Sequence, residues 1–195
     1  YLDVSDPAQW QSITKEIHPS VLFLNAGVMS GANFSDPEEY KFLTNTTQSY
    51  SRIRGVNLDG VVYGLSAIAP KMPRGSCIIV TGSMAGLYEY AFDPLYAMSK
   101  HAVIGLVRSV HSELAELGIR IHAYCPNRIL TPMLPEETRT ANDLTPDIAA
   151  AAAVELIDER TSGYCWLKES EETPLTRHPA IPVSFFTRVL RRVFG

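Results

Sequence analysis

CIIVTGS, residues 77–83, is four apolar residues in a row followed by threonine, glycine and serine. A run apolar at odd and even positions alike fits a strand whose two faces are both covered, as in a parallel sheet between helical layers. VLFLNAG (21–27) has the same form, and IRIHAYCP (119–126) is a third, less uniform run. Between the runs the period changes. Val103, Leu106, Val107, Val110, Leu114 and Leu117 recur at three- and four-residue steps, and Gly118 follows as a stop signal. TPDIAAAAAVELIDE (145–159) opens on a capping residue and reads as another helix, and SGYCWLKE (162–169) reads as a last strand. Strands alternating with helices predict an α/β fold with a doubly wound parallel sheet. Right-handed crossovers then bring the strand C-termini to one edge, where ligands bind.

Three stretches fall outside this rhythm. Residues 29–54 are polar and irregular and read as a long connection. Residues 127–144, rich in Pro, Thr and charge, follow a strand end where a substrate-covering loop is expected. Residues 174–195 carry four arginines (Arg177, Arg188, Arg191, Arg192) and no acid. Within them VSFFTRVLRRVFG (183–195) reads as a basic amphipathic helix that packs on its own domain, on a partner or on an anionic membrane surface.

The chain has 195 residues, 46% hydrophobic and 19% charged, enough for one domain with a real core. A net charge of −4 argues against a nucleic-acid partner. No apolar run reaches the roughly 18 residues of a membrane span. Cys77, Cys125 and Cys165 sit apart in apolar surroundings and read as buried reduced thiols. A reducing, cytoplasmic setting is therefore expected, and no metal site. The chain opens on Tyr1, without a methionine or a basic-plus-apolar leader, and reads as processed or as a piece of a longer protein.

Candidate chemistry gathers at the strand ends. In DPLYAMSKH (93–101), Asp93 and Pro94 are a good N-cap and first helical residue. Tyr96 and Lys100 then share one helical face, one turn apart. A phenol titrates at about 10, and bringing it near neutrality takes about 4 kcal/mol of phenolate stabilisation. A nearby ammonium supplies part of that. The pair reads equally as a structural hydrogen bond. Ser83 ends a strand thirteen residues before Tyr96, as a holder of a substrate oxygen or a plain turn cap. Asn25, Ala26 and Gly27 end another strand with residues small enough for a flat ligand to approach. Asn57, inside an apolar helical run, either faces solvent or holds a buried network.

These pieces, in this order, resemble the short-chain dehydrogenase/reductase family from about Asp3 to Thr131. LDVSD resembles the strand end whose Asp3 and Val4 would touch an adenine. LNAG resembles the family's Asn-Asn-Ala-Gly, with Leu24 in the first Asn position. VNLDG, VTGSMAG and YAMSK match the motifs of the catalytic asparagine, serine, tyrosine and lysine. CPNRILT resembles the Pro-Gly-x-Val-x-Thr segment, which puts Pro126, Ile129 and Thr131 near the nicotinamide. The resemblance implies a Rossmann-like fold and hydride transfer between NAD or NADP and a small secondary alcohol or ketone. Tyr96 would be the acid–base, Ser83 would hold the substrate oxygen, and Lys100 would bind the nicotinamide ribose and lower the Tyr96 pKa. Asn57 would hold a water. A homodimer or tetramer built on the helices near 57–72 and 95–117 is also implied.

The departures are specific. The Thr-Gly-x-x-x-Gly-x-Gly turn that cradles the pyrophosphate is absent from the sequence, and the strand and helix beside it do not precede LDVSD. The expectation is a dinucleotide-binding domain over 1–170, incomplete at its N-terminal side, and a basic tail over 171–195. Asn127 replaces a glycine, and Asn tolerates a left-handed backbone better than most residues. The competing reading is a non-catalytic chain of the same fold that serves as a partner-binding module. An absent phosphate turn favours that reading; the intact set of Asn57, Ser83, Tyr96 and Lys100 opposes it.

Overall fold

The computed structural model describes residues 1–15, 17–31, 36–43, 46–134 and 136–179. Helices start where a capping residue precedes proline. Asp6 caps α1 (Pro7–Ile13) by accepting from Ala8 N, Asp93 caps α4 (Pro94–Glu116), and Thr145 caps α5 (Pro146–Glu155). The second helix, α2 (Thr46–Ile53), runs through a π-helical turn (Arg54–Asp59) into α3 (Gly60–Ile68). The strands are β1 (Val21–Leu24), β2 (Cys77–Thr81), β3 (Arg120–Pro126), β4 (Tyr164–Lys168) and the short β5 (Thr176–Arg177).

The sheet order is β1-β2-β3-β4-β5, with the first four parallel and β5 antiparallel to β4. Alternation splits the apolar runs between two faces. Ile78 and Val80 of β2 and Ile121, Ala123 and Cys125 of β3 pack with Trp10 of α1, Val61, Leu65 and Ile68 of α3, and Val103, Ile104 and Val107 of α4. Cys77, Ile79 and Tyr124 point the other way, onto Ala152 and Ala153 of α5 and Leu156 just beyond it. The long run of α4 ends as its pattern predicts, with Gly118 at φ +73°.

Three expectations need correction. Residues 29–54 contain α2 and a helical turn at Pro37–Tyr40 rather than an irregular connection. LDVSD is not a strand end: Asp3, exposed, accepts from Ser5, and Val4 packs into the notch left by Gly60, where a Cβ would stand 2.9 Å from Val4 Cγ2. No neighbouring strand is available to it among the described residues, and the Trp10 indole donates to Val4 O at 2.9 Å instead. β1 is covered on one face only. Phe23, in register with Ile79, remains 41% exposed because α5 does not extend over it. Asn127 does not adopt a left-handed backbone, since among the described residues only glycines have positive φ. β5, unforeseen, carries the sheet past residue 170. The proposed amphipathic segment at 183–195 lies outside the described residues.

Candidate active site

Two tight junctions at the C-terminal edge of the sheet bring the site together. After β2, Ser83 caps a short turn (Met84–Gly86), its Oγ accepting from Ala85 N at 3.1 Å. That turn lies against α4 because Gly86 has no side chain: a Cβ there would stand 2.7 Å from the Lys100 carbonyl carbon and oxygen. Asp93, fully buried, starts α4 by accepting from Tyr96 N at 3.0 Å. Its carboxylate also accepts from Ser30 N and Ser30 Oγ at 2.7 and 2.6 Å, tying the loop after β1 to the start of α4.

Between these junctions Ser83 and Tyr96 face the same cleft, the serine hydroxyl near enough to the phenol to favour its charged form. Lys100 lies one turn on, 3% exposed. Its Nζ donates to Thr81 O at 2.8 Å and sits 5.6 Å from the centroid of the Tyr96 ring. Asn57 holds a buried network rather than facing solvent. Its Oδ1 accepts from Val28 N at 2.8 Å, and its Nδ2 donates to Val28 O and to Ser99 Oγ at 2.9 and 3.0 Å. Ser99 Oγ donates in turn to Tyr96 O at 2.7 Å. Asn57 is thus linked through Ser99 to the Tyr96 backbone, with Lys100 beside the Tyr96 ring and Ser83 on the same cleft.

Electrostatics depart from the expected lysine effect. Burial pushes the Tyr96 phenol up to about 12; the nearby Ser83 hydroxyl works against that, while Tyr90, Asp93 and Cys125 add to it. Burial likewise pulls the Lys100 ammonium down to about 8, opposed by Cys125. Lys100 is held against the Thr81 carbonyl, so in the protein alone desolvation decides the phenol's titration.

A cleft of about 320 Å³ opens beside Tyr96 and Ser83, lined by Asn25, Gly27 and Thr81 on one side and Pro126, Ile129 and Thr131 on the other. Gly27 keeps its floor flat: a Cβ there would lie 3.4 Å from Lys100 Nζ and 3.7 Å from Asn57 Oδ1. Ala26 is exposed beside the cleft, and Asp3 and Val4 do not line it. Sequence reading missed Met29, Met84, Tyr90, Arg128, Met133 and Leu134, all in the wall. Met84 and Arg128 adjoin recognised motifs, the only signal they carry; the others are placed by loop geometry.

The family model described as short chain dehydrogenase matches residues 1–142. The chain is 33% identical over 167 residues to levodione reductase of Leifsonia aquatica, covering 82% of this chain and 59% of that protein. It is 34% identical over 148 residues to the 3-alpha-(or 20-beta)-hydroxysteroid dehydrogenase of Mycobacterium tuberculosis, covering 70% and 54%. The chain spans about half the length of the curated relatives it matches. Among solved structures, BdcA in complex with NADPH superposes with a TM-score of 0.75 at 20% identity, over 90% of this chain and 75% of that one. Levodione reductase superposes with a TM-score of 0.74 at 25% identity, over 86% and 73%. The matched sequence and the shared parallel sheet lead to one conclusion: the chain belongs to the short-chain dehydrogenase family.

Proposed function

We propose that this chain is the catalytic part of an NAD- or NADP-dependent oxidoreductase that interconverts a small secondary alcohol and a ketone. The observation that carries the reading is that Ser83 and Tyr96 line one cleft, with buried Lys100 one helical turn from Tyr96. Tyr96 moves the proton at the substrate oxygen, and Ser83 hydrogen-bonds the same oxygen. Asn57 positions the Val28 backbone and Ser99, and the remaining lone pair of its Oδ1 is free to hold a water.

The residues present fit the nicotinamide half of a dinucleotide. The floor at Gly27 is flat, and Lys100 has three ammonium donors with a single protein acceptor, Thr81 O, among the hydrogen bonds of the described residues. Lys100 and Tyr96 would hold the ribose. Asn25, Ala26 and Gly27 would border the ring on one side, and Pro126, Ile129 and Thr131 on the other; Asp3 and Val4 are assigned to the adenine end. When bound, the dinucleotide supplies the hydride acceptor or donor and, oxidised, a positive charge that favours the Tyr96 phenolate.

Tyr96→Phe in the full-length protein removes only the phenolic oxygen and is expected to abolish turnover with the melting curve retained. Wild-type activity in that variant would refute the proton-transfer role. A phenol held up at about 12 keeps its proton at neutral pH. Ketone reduction should therefore proceed at pH 7, whereas alcohol oxidation, which needs the phenolate, should climb as pH rises.

The proposed setting is cytoplasmic; among the described residues no helix is long and apolar enough to cross a membrane. The proposed assembly is a homodimer or tetramer. Exposed Met98, Ala102, Gly105 and Ser109 lie along one side of α4, and a Cβ at Gly105 would meet nothing within 4 Å. That flat stripe suits close approach of a second helix. Sedimentation as a clean monomer at micromolar concentration would count against it. The segment 183–195 of the tail is assigned to packing on its own domain, on a partner or on a membrane surface.

A further inference from the structure

The cleft wall facing Tyr96 contains a charge and its neutraliser. Met29, Met84, Met133, Leu134, Ile129 and Tyr90 make the wall largely apolar, and methionines adapt to irregular hydrocarbon shapes. The cleft is also lined by one cation, Arg128. A lone guanidinium there would recruit carboxylate or phosphate substrates by bidentate pairing. It is not alone. Arg128 Nε lies 3.1 Å from Asp143 Oδ1, and Nη2 donates to Asp143 Oδ2 at 3.3 Å and to Thr138 O.

The neutraliser is built in, not incidental. The Asp143 side chain is 1% exposed. Its carboxylate accepts from Thr140 N at 2.7 Å and from Thr140 Oγ1 at 3.1 Å. Leu144, next in the chain and fully buried, exchanges backbone bonds with the Arg128 strand end: Leu144 N donates to Arg128 O at 2.8 Å and Leu130 N donates to Leu144 O at 2.9 Å. The loop is thus clipped shut at its base, and Asp143 cannot swing away from Arg128. The other cation nearby, Lys100, donates to Thr81 O and is not among the residues that line this cleft.

We infer that the Arg128–Asp143 pair is a specificity determinant, which cancels the charge of the cleft and selects uncharged, predominantly hydrocarbon ketones and alcohols over keto acids and phosphorylated substrates. The inference rests on the cleft being the substrate site, as proposed above. Its test reads binding, not turnover, so that failure of the Tyr96 chemistry leaves it standing.

The full-length protein is titrated calorimetrically with 4-tert-butylcyclohexanone and with 4-oxocyclohexanecarboxylate. Wild type is expected to bind the neutral ketone at least tenfold more tightly. Asp143→Asn keeps an acceptor for Thr140 but uncovers the guanidinium, and is expected to erase that preference by gaining carboxylate affinity. Arg128→Gln added to Asp143→Asn removes both charges and is expected to restore it. The double variant also separates charge from distortion, because a merely deformed loop would not regain selectivity. Equal affinities in wild type, no binding of either ligand, or an unchanged ratio in Asp143→Asn would each overturn the inference.

Discussion

Lys100 carries an ammonium almost entirely out of water. Its ammonium is buried with one carbonyl partner, and its pKa falls from 10.5 to about 8. A lysine with a depressed folded-state pKa binds its proton more tightly when unfolded. Below pH 8 the folded protein therefore bears the full cost of a buried charge, and that cost disappears as pH rises from 8 to 10.5. Tyr96 opposes this only above about pH 10, where an unfolded phenol ionises and the buried one does not. Lys100→Met is accordingly expected to stabilise the protein at pH 7 by about 2 kcal/mol while abolishing cofactor binding. The gain should shrink towards zero by pH 10. Denaturant unfolding at the two pH values checks it, and an equal gain at both would contradict the burial argument. The lysine proposed to bind the cofactor is then destabilising in the protein alone.

At the scale of elements, the site depends on how closely the turn after β2 approaches α4. Gly86 permits contact with the Lys100 backbone, and a helix backbone cannot yield as a side-chain tip can. Gly86→Ala should displace the Met84–Gly86 turn and move Ser83 from Tyr96. We expect a stability loss of about 1–3 kcal/mol, the usual cost of overpacking. Activity should fall by more than stability alone explains, since a misplacement of about 1 Å costs about 100-fold in rate. Unchanged kcat with reduced Tm would show that the turn matters for packing only. Other elements were poorly visible beforehand for a local reason. α2 reads TTQSYSRI, and Ser49 and Ile53 are its buried positions, so it carries no apolar period to recognise. α1 opens on the same Asp-Pro start as α4, but its seven residues are too few to show a helical period.

For the molecule as a whole, the decisive feature is the end of the sheet. β1 pairs with β2 alone among the described residues, with Phe23 exposed on one face. An apolar edge of this kind recruits another strand or aggregates. The sequence contains no Thr-Gly-x-x-x-Gly-x-Gly turn for a pyrophosphate. The 195-residue polypeptide expressed alone is therefore expected to be marginally stable and to bind neither NADH nor NADPH at micromolar concentration. Fluorescence titration together with thermal unfolding tests this. Cooperative melting and micromolar binding would mean that other residues hold the pyrophosphate.

What the sequence determined by itself was the local and periodic part. Apolar runs marked β1 to β4, Asp-Pro and Thr-Pro pairs marked helix starts, and the spacing of Ser83, Tyr96 and Lys100 marked the candidate site. These features are legible because strand alternation, helical period and capping act over a few residues. Tertiary structure alone decided what depends on distant segments meeting. Asp93 joins Ser30 across 63 positions, Asn57 joins Ser99 across 42, and Arg128 joins Asp143 across a 15-residue loop. The titration of Tyr96 belongs to the same class. A lysine one turn away suggests a lowered pKa, yet the phenol is held up at about 12, because desolvation is set by everything packed around a group and not by its neighbour in the helix.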